Sequence, residues 1–270
     1  MLKWIRLFGF CMLCTLILWG GDRIKPLAIP SMITERNVDE LIIDDQVFEM
    51  VLRGGEQSQT VLLSAWYSCS SADMNRVEIE RIIVLDLLPA LRVLGYHDLC
   101  VQIYDKDQGQ VDKYMRGIMD EETLTNTVPF LEETCGIETL KIARELGFKV
   151  WAIDPTYPYK GNRMLLFFHV IAGKIDGMLF EKLKRKIFND NADAKVVCIL
   201  AGPYISEAPS LSPYPLGMRL DEFTNGRNFS VSIEGPEYPN KRIVSDIKIH
   251  IYRNLFYEAK QAIPHHHQHD

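Results

Sequence analysis

The chain has 270 residues, 47% of them hydrophobic and 24% charged, with a net charge of -6 and a pI of about 5.7. These proportions are ordinary for a globular protein and leave room for one large α/β domain. No basic patch stands out in this acidic chain, which speaks against nucleic acid as a partner.

The first 21 residues read as a signal peptide or N-terminal anchor. Lys3 and Arg6 form a basic start, and Leu7 to Trp19 form an apolar core of 13 residues. That is short for a membrane span, which needs ~20. Gly20-Gly21 is the nearest pair of small residues to a cleavage site, so cleavage and retention as an anchor both stay open. Either outcome puts the body outside the cytoplasm, periplasmic or extracellular, with membrane contact only through residues 1–21 if they are kept. Residues 22–33 read as a linker.

Thr34 is placed to cap a helix over Glu35 to Leu52, with Gly54-Gly55 as its end. Val61 to Trp66 is the first strand. Ser68 to Ser71 lead into a helix over Ala72 to Leu94, kinked at Pro89. Leu99 to Tyr104 is the second strand, followed by a polar loop over Asp105 to Gln110 and a short helix over Val111 to Arg116. A helical region over Glu121 to Leu146 is interrupted near Pro129 and Gly136. Lys149 to Ile153 is the third strand, stopped by Asp154-Pro155.

Arg163 to Phe188 reads as one long helix. Its cluster Lys182, Lys184, Arg185 and Lys186 suits a solvated C-terminal end. Lys195 to Leu200 is the fourth strand and ends abruptly in Gly202-Pro203. A Pro/Ser-rich loop, a short helical piece and a strand over Phe229 to Ile233 follow. Ile243 to Tyr252 alternates like an edge strand, and Asn254 to Ile263 reads as a terminal helix. Residues 264–270 are a His-rich tail. Strands alternating with helices predict a single α/β domain over 34–263, with a mostly parallel central sheet and helices on both faces.

Four cysteines remain outside the N-terminal segment: Cys69, Cys100, Cys135 and Cys198. An even count in an exported chain allows three complete pairings. Cys100 and Cys198 lie in apolar strands, where a buried free thiol acts as a small hydrophobe. No Cys/His spacing among these four suggests zinc, and no metal site is assigned.

The order of pieces carries a resemblance. It comprises the first strand with its small polar loop, Tyr114-Met115-Arg116-Gly117 closing a helix, Ile153-Asp154, the turn at Gly202, and Leu216-Gly217-Met218 before Gly226 and a strand. From Val61 to Ile233 this order resembles the erythromycin-esterase-like branch of the superfamily that includes TraB/Tiki-type and ChaN-like haem-binding proteins. The resemblance implies a Gly-Glu-x-x-His motif at the first strand end, a Glu ending the second strand and a loop His after the late strand. Here those places read Ser64-Ala65-Trp66-Tyr67-Ser68-Cys69, Gln102 and Gly202-Pro203-Tyr204.

Hydrolysis at neutral pH needs a base or metal to activate water, and positioned acid–base groups contribute roughly 10²–10⁴-fold. Ala65 and Gln102 cannot take a proton, and phenols such as Tyr204 titrate near ~10. The resemblance therefore implies a degenerate catalytic site and a non-catalytic ligand-binding protein. Its alternatives are a hydrolase with shifted residues and a haem- or metal-handling protein.

Tyr67, Gln102, Tyr104, Asp154 and Tyr204 are the candidate rim for a small-molecule ligand, since strand-end aromatics converge on one edge of a parallel sheet. Haem is a possible cofactor, because relatives bind it and tyrosinate can ligate haem iron. A divalent metal is the other, held by Asp105, Asp107 and Asp154. Cys69, between a strand end and a helix start, is the candidate nucleophile. It would need a base, and nothing in the sequence brings His169 or His250 to it.

Overall fold

The computed structural model describes residues 43, 45–65, 79–128, 131, 136–156, 173–209, 212–234, 245–251 and 257–261. All of these lie in one compact unit, Asp39–Asp270. The N-terminal segment, the linker and the His-rich tail lie outside the described residues.

Seven strands form one sheet in the order β3-β2-β4-β1-β5-β6-β7. They are β1 (Thr60–Ala65), β2 (Asp98–Tyr104), β3 (Lys149–Asp154), β4 (Val196–Leu200), β5 (Asn228–Glu234), β6 (Ile247–Ile251) and β7 (Tyr257–Gln261). Every pairing is parallel except β6 with β7. The central strands β1, β2 and β4 are short and largely apolar on both sides, as a sheet covered on both faces requires.

Alternation along each strand sorts the core into two layers. Val61, Leu63, Leu99, Val101, Val197, Ile199, Val231 and Ile233 point to one face. Helices α1 (Asp45–Gln57), α2 (Ile82–Leu87 in wide π turns, then Leu88–Val93), α3 (Gln108–Met115), α4 (Glu121–Thr127) and α5 (Ile137–Glu145) supply apolar residues to that face. Leu62, Cys100, Cys198 and Leu200 point to the other. There α6 (Lys174–Leu183, continuing as π turns over Lys184–Phe188), α7 (Gly202–Ile205) and α8 (Leu216–Thr224) cover them. The expected α/β architecture, with helices on both faces, is the one observed.

Several expectations are corrected. α1 begins at Asp45 and runs through Gly54-Gly55 to Gln57. These glycines do not end the helix. A Cβ at Gly54 would collide with the Phe229 ring, so glycine here permits close helix–sheet approach. At Pro89 the helix changes from π to α turns, with Leu88 N–H donating to the Ile83 carbonyl five residues back. The wider turns relieve the contact that proline makes with the carbonyl four residues earlier. Asp105–Asp107 is a 3-10 turn and α3 starts at Gln108, earlier than expected. Of the long helix expected over Arg163 to Phe188, the described part starts after Gly173, whose φ is +66°; residues 163–172 lie outside the described residues.

The C-terminal segment is the largest difference. β6 pairs on both sides, so it is not the edge of the sheet. The expected terminal helix is instead the antiparallel edge strand β7. Glu258, Ala259, Lys260 and Gln261 are good helix formers, but the free edge of β6 offers a row of unpaired backbone groups that overrides this weak preference.

Candidate functional site

Five neighbouring parallel strands deliver their carboxyl ends to one edge of the sheet. Gln102, Tyr104, Asp154 and Tyr204 all belong to that edge. Gln102 points to the same face as Cys100, and its side-chain carbonyl accepts the Ala201 N–H at 2.8 Å. Ala201 is the N-cap of α7, whose first turn carries Pro203, and the Tyr204 N–H closes that turn onto the Ala201 carbonyl at 3.0 Å. One hydrogen bond thus joins the end of β2 to the turn that presents Tyr204.

Tyr204 is half-buried and packs on the α6/α8 side of the core. Burial pushes its phenol well above the ordinary range, and the Asp154 and Asp176 carboxyls push it further. It is a neutral hydroxyl. Asp154 is buried and accepts the Thr156 N–H at 2.7 Å. Burial raises its carboxyl, and the Thr156 bonds and the Lys182 ammonium only partly oppose this. Tyr104 is half-buried at the start of the 3-10 turn and stands in register with Asp154.

The acidic edge does not gather into a metal site. Asp105 is ion-paired with Lys182, Asp107 with Lys106 at 3.0 Å, and Asp154 holds its own loop. Among the described residues no group of three or more His, Cys, Asp or Glu is placed to hold a metal ion. The expected solvated helix end holds for Arg185, which is exposed, but not for Lys182 and Lys186. Lys182 is only 12% exposed, while Lys186 donates to the Ala152 carbonyl at 3.2 Å and lies over the Trp151 ring. Both cations close the outer side of β2 and β3.

Three carboxyls were not singled out from the sequence. Asp176 is fully buried near the start of α6, with Oδ1 accepting the Leu216 N–H at 2.9 Å and Oδ2 lacking any partner. Its carboxyl is raised by burial, only partly opposed by the Leu216 N–H and the Arg219 charge. Glu207, just after α7, accepts from Asn228 Nδ2 at 3.1 Å and is hydrogen-bonded to Asp246. Burial, then the Asp246 charge, pushes the Glu207 carboxyl up to about 9. Asp246 accepts the Ser230 N–H at 2.8 Å and is itself raised by burial. Nothing in local sequence marks these acids, because their partners are 16 to 40 residues away in the chain. Ser64, in register with Leu200 and Ser232, is also fully buried, and its hydroxyl has no partner.

Of the expected site residues, Gln102 and Tyr204 are brought together through Ala201, and Asp154 contributes its charge to Tyr204. Tyr67 and Cys69 lie outside the described residues, as does His169. Ala65 ends β1 in register with Ile233, and His250 lies on β6 in register with Glu234.

A parallel sheet covered on both faces, with a polar carboxyl edge, defines the class: an α/β protein that presents its candidate site where such sheets bind ligands. No family model and no curated protein matches the chain. Solved structures do. A mutant of the erythromycin esterase EreC in its open conformation aligns with a TM-score of 0.52 at 11% identity, over 82% of this chain and 80% of that one. ChaN of Campylobacter jejuni, a cofacial haem binder, aligns at 0.45 and 12% identity, over 74% of this chain and 90% of that one. The C-terminal region of Pasteurella multocida toxin, with its thiol-protease-like triad, aligns at 0.48 and 13% identity; the match covers 94% of this chain but 31% of the toxin chain. These likenesses concern fold alone. The fold is similar to that of the erythromycin esterase, and the two lower scores support no inference about chemistry.

Proposed function

We propose that this is an exported protein that binds a small-molecule ligand at the carboxyl edge of its sheet without hydrolysing it. The observation behind the reading is the Gln102–Ala201 hydrogen bond. A neutral amide fills the gap between β2 and β4, and its carbonyl is already engaged by backbone. The adjacent Tyr204 is held protonated. An amide and a neutral phenol can orient a ligand, but neither takes a proton from water at neutral pH. Tyr204 serves as a hydrogen-bond donor with an aromatic face, and Asp154 as an acceptor beside it. The protonated phenol also makes Tyr204 a poor source of tyrosinate for haem iron.

One observation favours a second reading. Asp154 is a buried carboxyl with a raised pKa, the condition in which an acid becomes a useful general base. A single set of assays separates the two. The purified chain is tested for turnover of ester and peptide substrates, and for binding of haem and a library of small aromatic and sugar ligands. The expected result is saturable binding weakened by Tyr204→Phe, with turnover at the buffer rate. Ester or peptide hydrolysis that disappears in Asp154→Asn or Cys69→Ala would overturn the binding-only reading. Export is tested by fractionation of cells producing the full chain, with cytoplasmic recovery as the contrary result.

A further inference from the structure

We infer that Cys100 and Cys198 are a redox pair, able to close a disulfide that joins β2 to β4 beneath the candidate site. The inference stands apart from the ligand reading. Cys100 and Cys198 are direct partners in the parallel pairing of these strands. Neighbouring strands lie ~4.8 Å apart, inside the ~4.4–6.8 Å Cα separation that a disulfide spans. Alternation puts both side chains on the same face, against α6 and α8. The Cys198 thiol bears on the protonation of Cys100, as expected of side chains in direct cross-strand register. Both are free thiols with 0% exposure.

The position gives the bond a consequence. Gln102 lies two residues beyond Cys100 on the same face, and Ala201 three residues beyond Cys198. The bridge would thus sit one pleat below the hydrogen bond that links β2 to the Tyr204 turn. It would also close a loop of about 100 residues, long enough to restrict the unfolded chain substantially.

The oxidant is a small-molecule disulfide such as oxidised glutathione. The thiolate of one cysteine attacks an oxidant sulfur, breaking that S–S bond, forming a mixed disulfide and releasing one thiolate. The second cysteine attacks the protein sulfur of the mixed disulfide, forming the Cys100–Cys198 bond and releasing a second thiolate. The protons of the two protein thiols end on the two released thiolates, and the oxidant gains the two electrons. Burial raises the Cys100 thiol well above its ordinary range, while the nearby Lys186 ammonium partly opposes this. Exchange therefore proceeds during folding or transient opening, before α6 covers the pair.

The test uses the full chain, refolded in glutathione buffers of increasing oxidised-to-reduced ratio. Free thiols are then alkylated in denaturant, and the unreduced digest is read by mass spectrometry. The expected product is a Cys100–Cys198 linked peptide that rises with the ratio, costs both thiols their alkylation and disappears on treatment with dithiothreitol. The oxidised form should unfold at a higher urea concentration than the reduced form. A variant with Cys11→Ser, Cys14→Ser, Cys69→Ser and Cys135→Ser should give the same link, which removes the four competing cysteines without touching the pair. The inference fails if Cys100 and Cys198 remain fully alkylated across the series, or if either links to Cys11, Cys14, Cys69 or Cys135 instead.

Discussion

The two faces of the sheet are built for different tasks. The face under α1 to α5 is predominantly apolar: Val61, Leu63, Val101, Ile199 and Val231 meet Val51, Leu88, Leu91 and Leu140, all buried. Among its buried polar groups the Tyr96 hydroxyl is used, donating to the Gly55 and Ser58 carbonyls at 2.8 and 2.9 Å, while the Tyr114 and Thr139 hydroxyls have no partner. The face under α6 to α8 holds Ser64, Asp176, Ser230, Ser232 and two thiols among its buried residues. Three carboxyls on or near it, Asp154, Asp176 and Glu207, keep their protons more tightly than usual because burial penalises their charge. Burial of polar groups costs stability unless each is bonded, and both faces carry that cost: Ser64 Oγ and Asp176 Oδ2 on this one, the Tyr114 and Thr139 hydroxyls on the other. The first face holds the larger apolar core. The second concentrates the buried carboxyls beside the candidate site.

The contrast breaks first, if it breaks, at the centre of the apolar face. Leu63→Ala removes a fully buried side chain and should cost about 2–5 kcal/mol in urea unfolding. Ligand affinity in the remaining folded protein should not change; a large loss of affinity would show that the two faces are not separable.

Gly217→Ala probes the other face. A Cβ there would collide with the Ile205 carbonyl oxygen, so α8 must shift away from α7. The expected cost is about 1–3 kcal/mol. Unlike the Leu63 change, it should also weaken binding, because α7 carries Tyr204. Calorimetry on both variants checks the distinction, and equal affinities would remove it.

A pH dependence probes the buried carboxyls of the second face directly. In the folded chain Glu207 titrates at about 9, against an ordinary 4.5. Between those values the folded state binds more protons than the unfolded state, so stability falls as pH rises. The contribution is complete below the ordinary carboxyl value and is lost as pH approaches 9. The raised Asp246 carboxyl, bonded to Glu207, acts with the same sign. Glu207→Gln keeps the hydrogen-bonding shape without the charge and should flatten this decline in a series of urea midpoints. An unchanged slope would assign the decline to other groups.

Legibility in the sequence followed the range of the forces involved. β1 to β5 were visible as short apolar runs ended by turn residues, since alternation and burial leave a local signature. Gln102, Asp154 and Tyr204 were visible because strand ends of a parallel sheet share one edge. The two glycines of α1 were misread because Gly54 answers to Phe229, more than 170 residues away. β7 was misread because its composition favours a helix and only the β6 edge decides otherwise. Asp176 and Glu207 gave no signal, for an acid in a helix or loop looks alike whether it faces water or a buried hydroxyl.

By itself, then, the sequence determined the alternation of strands and helices, the parallel sheet and the candidate edge. These follow from hydrophobic period and turn chemistry, which act over a few residues. The tertiary structure decided the strand order, the direction of the last strand, the cross-strand partnership of Cys100 with Cys198, and which polar groups are buried. Those depend on contacts between segments distant in the chain, where desolvation and backbone pairing outweigh local preference.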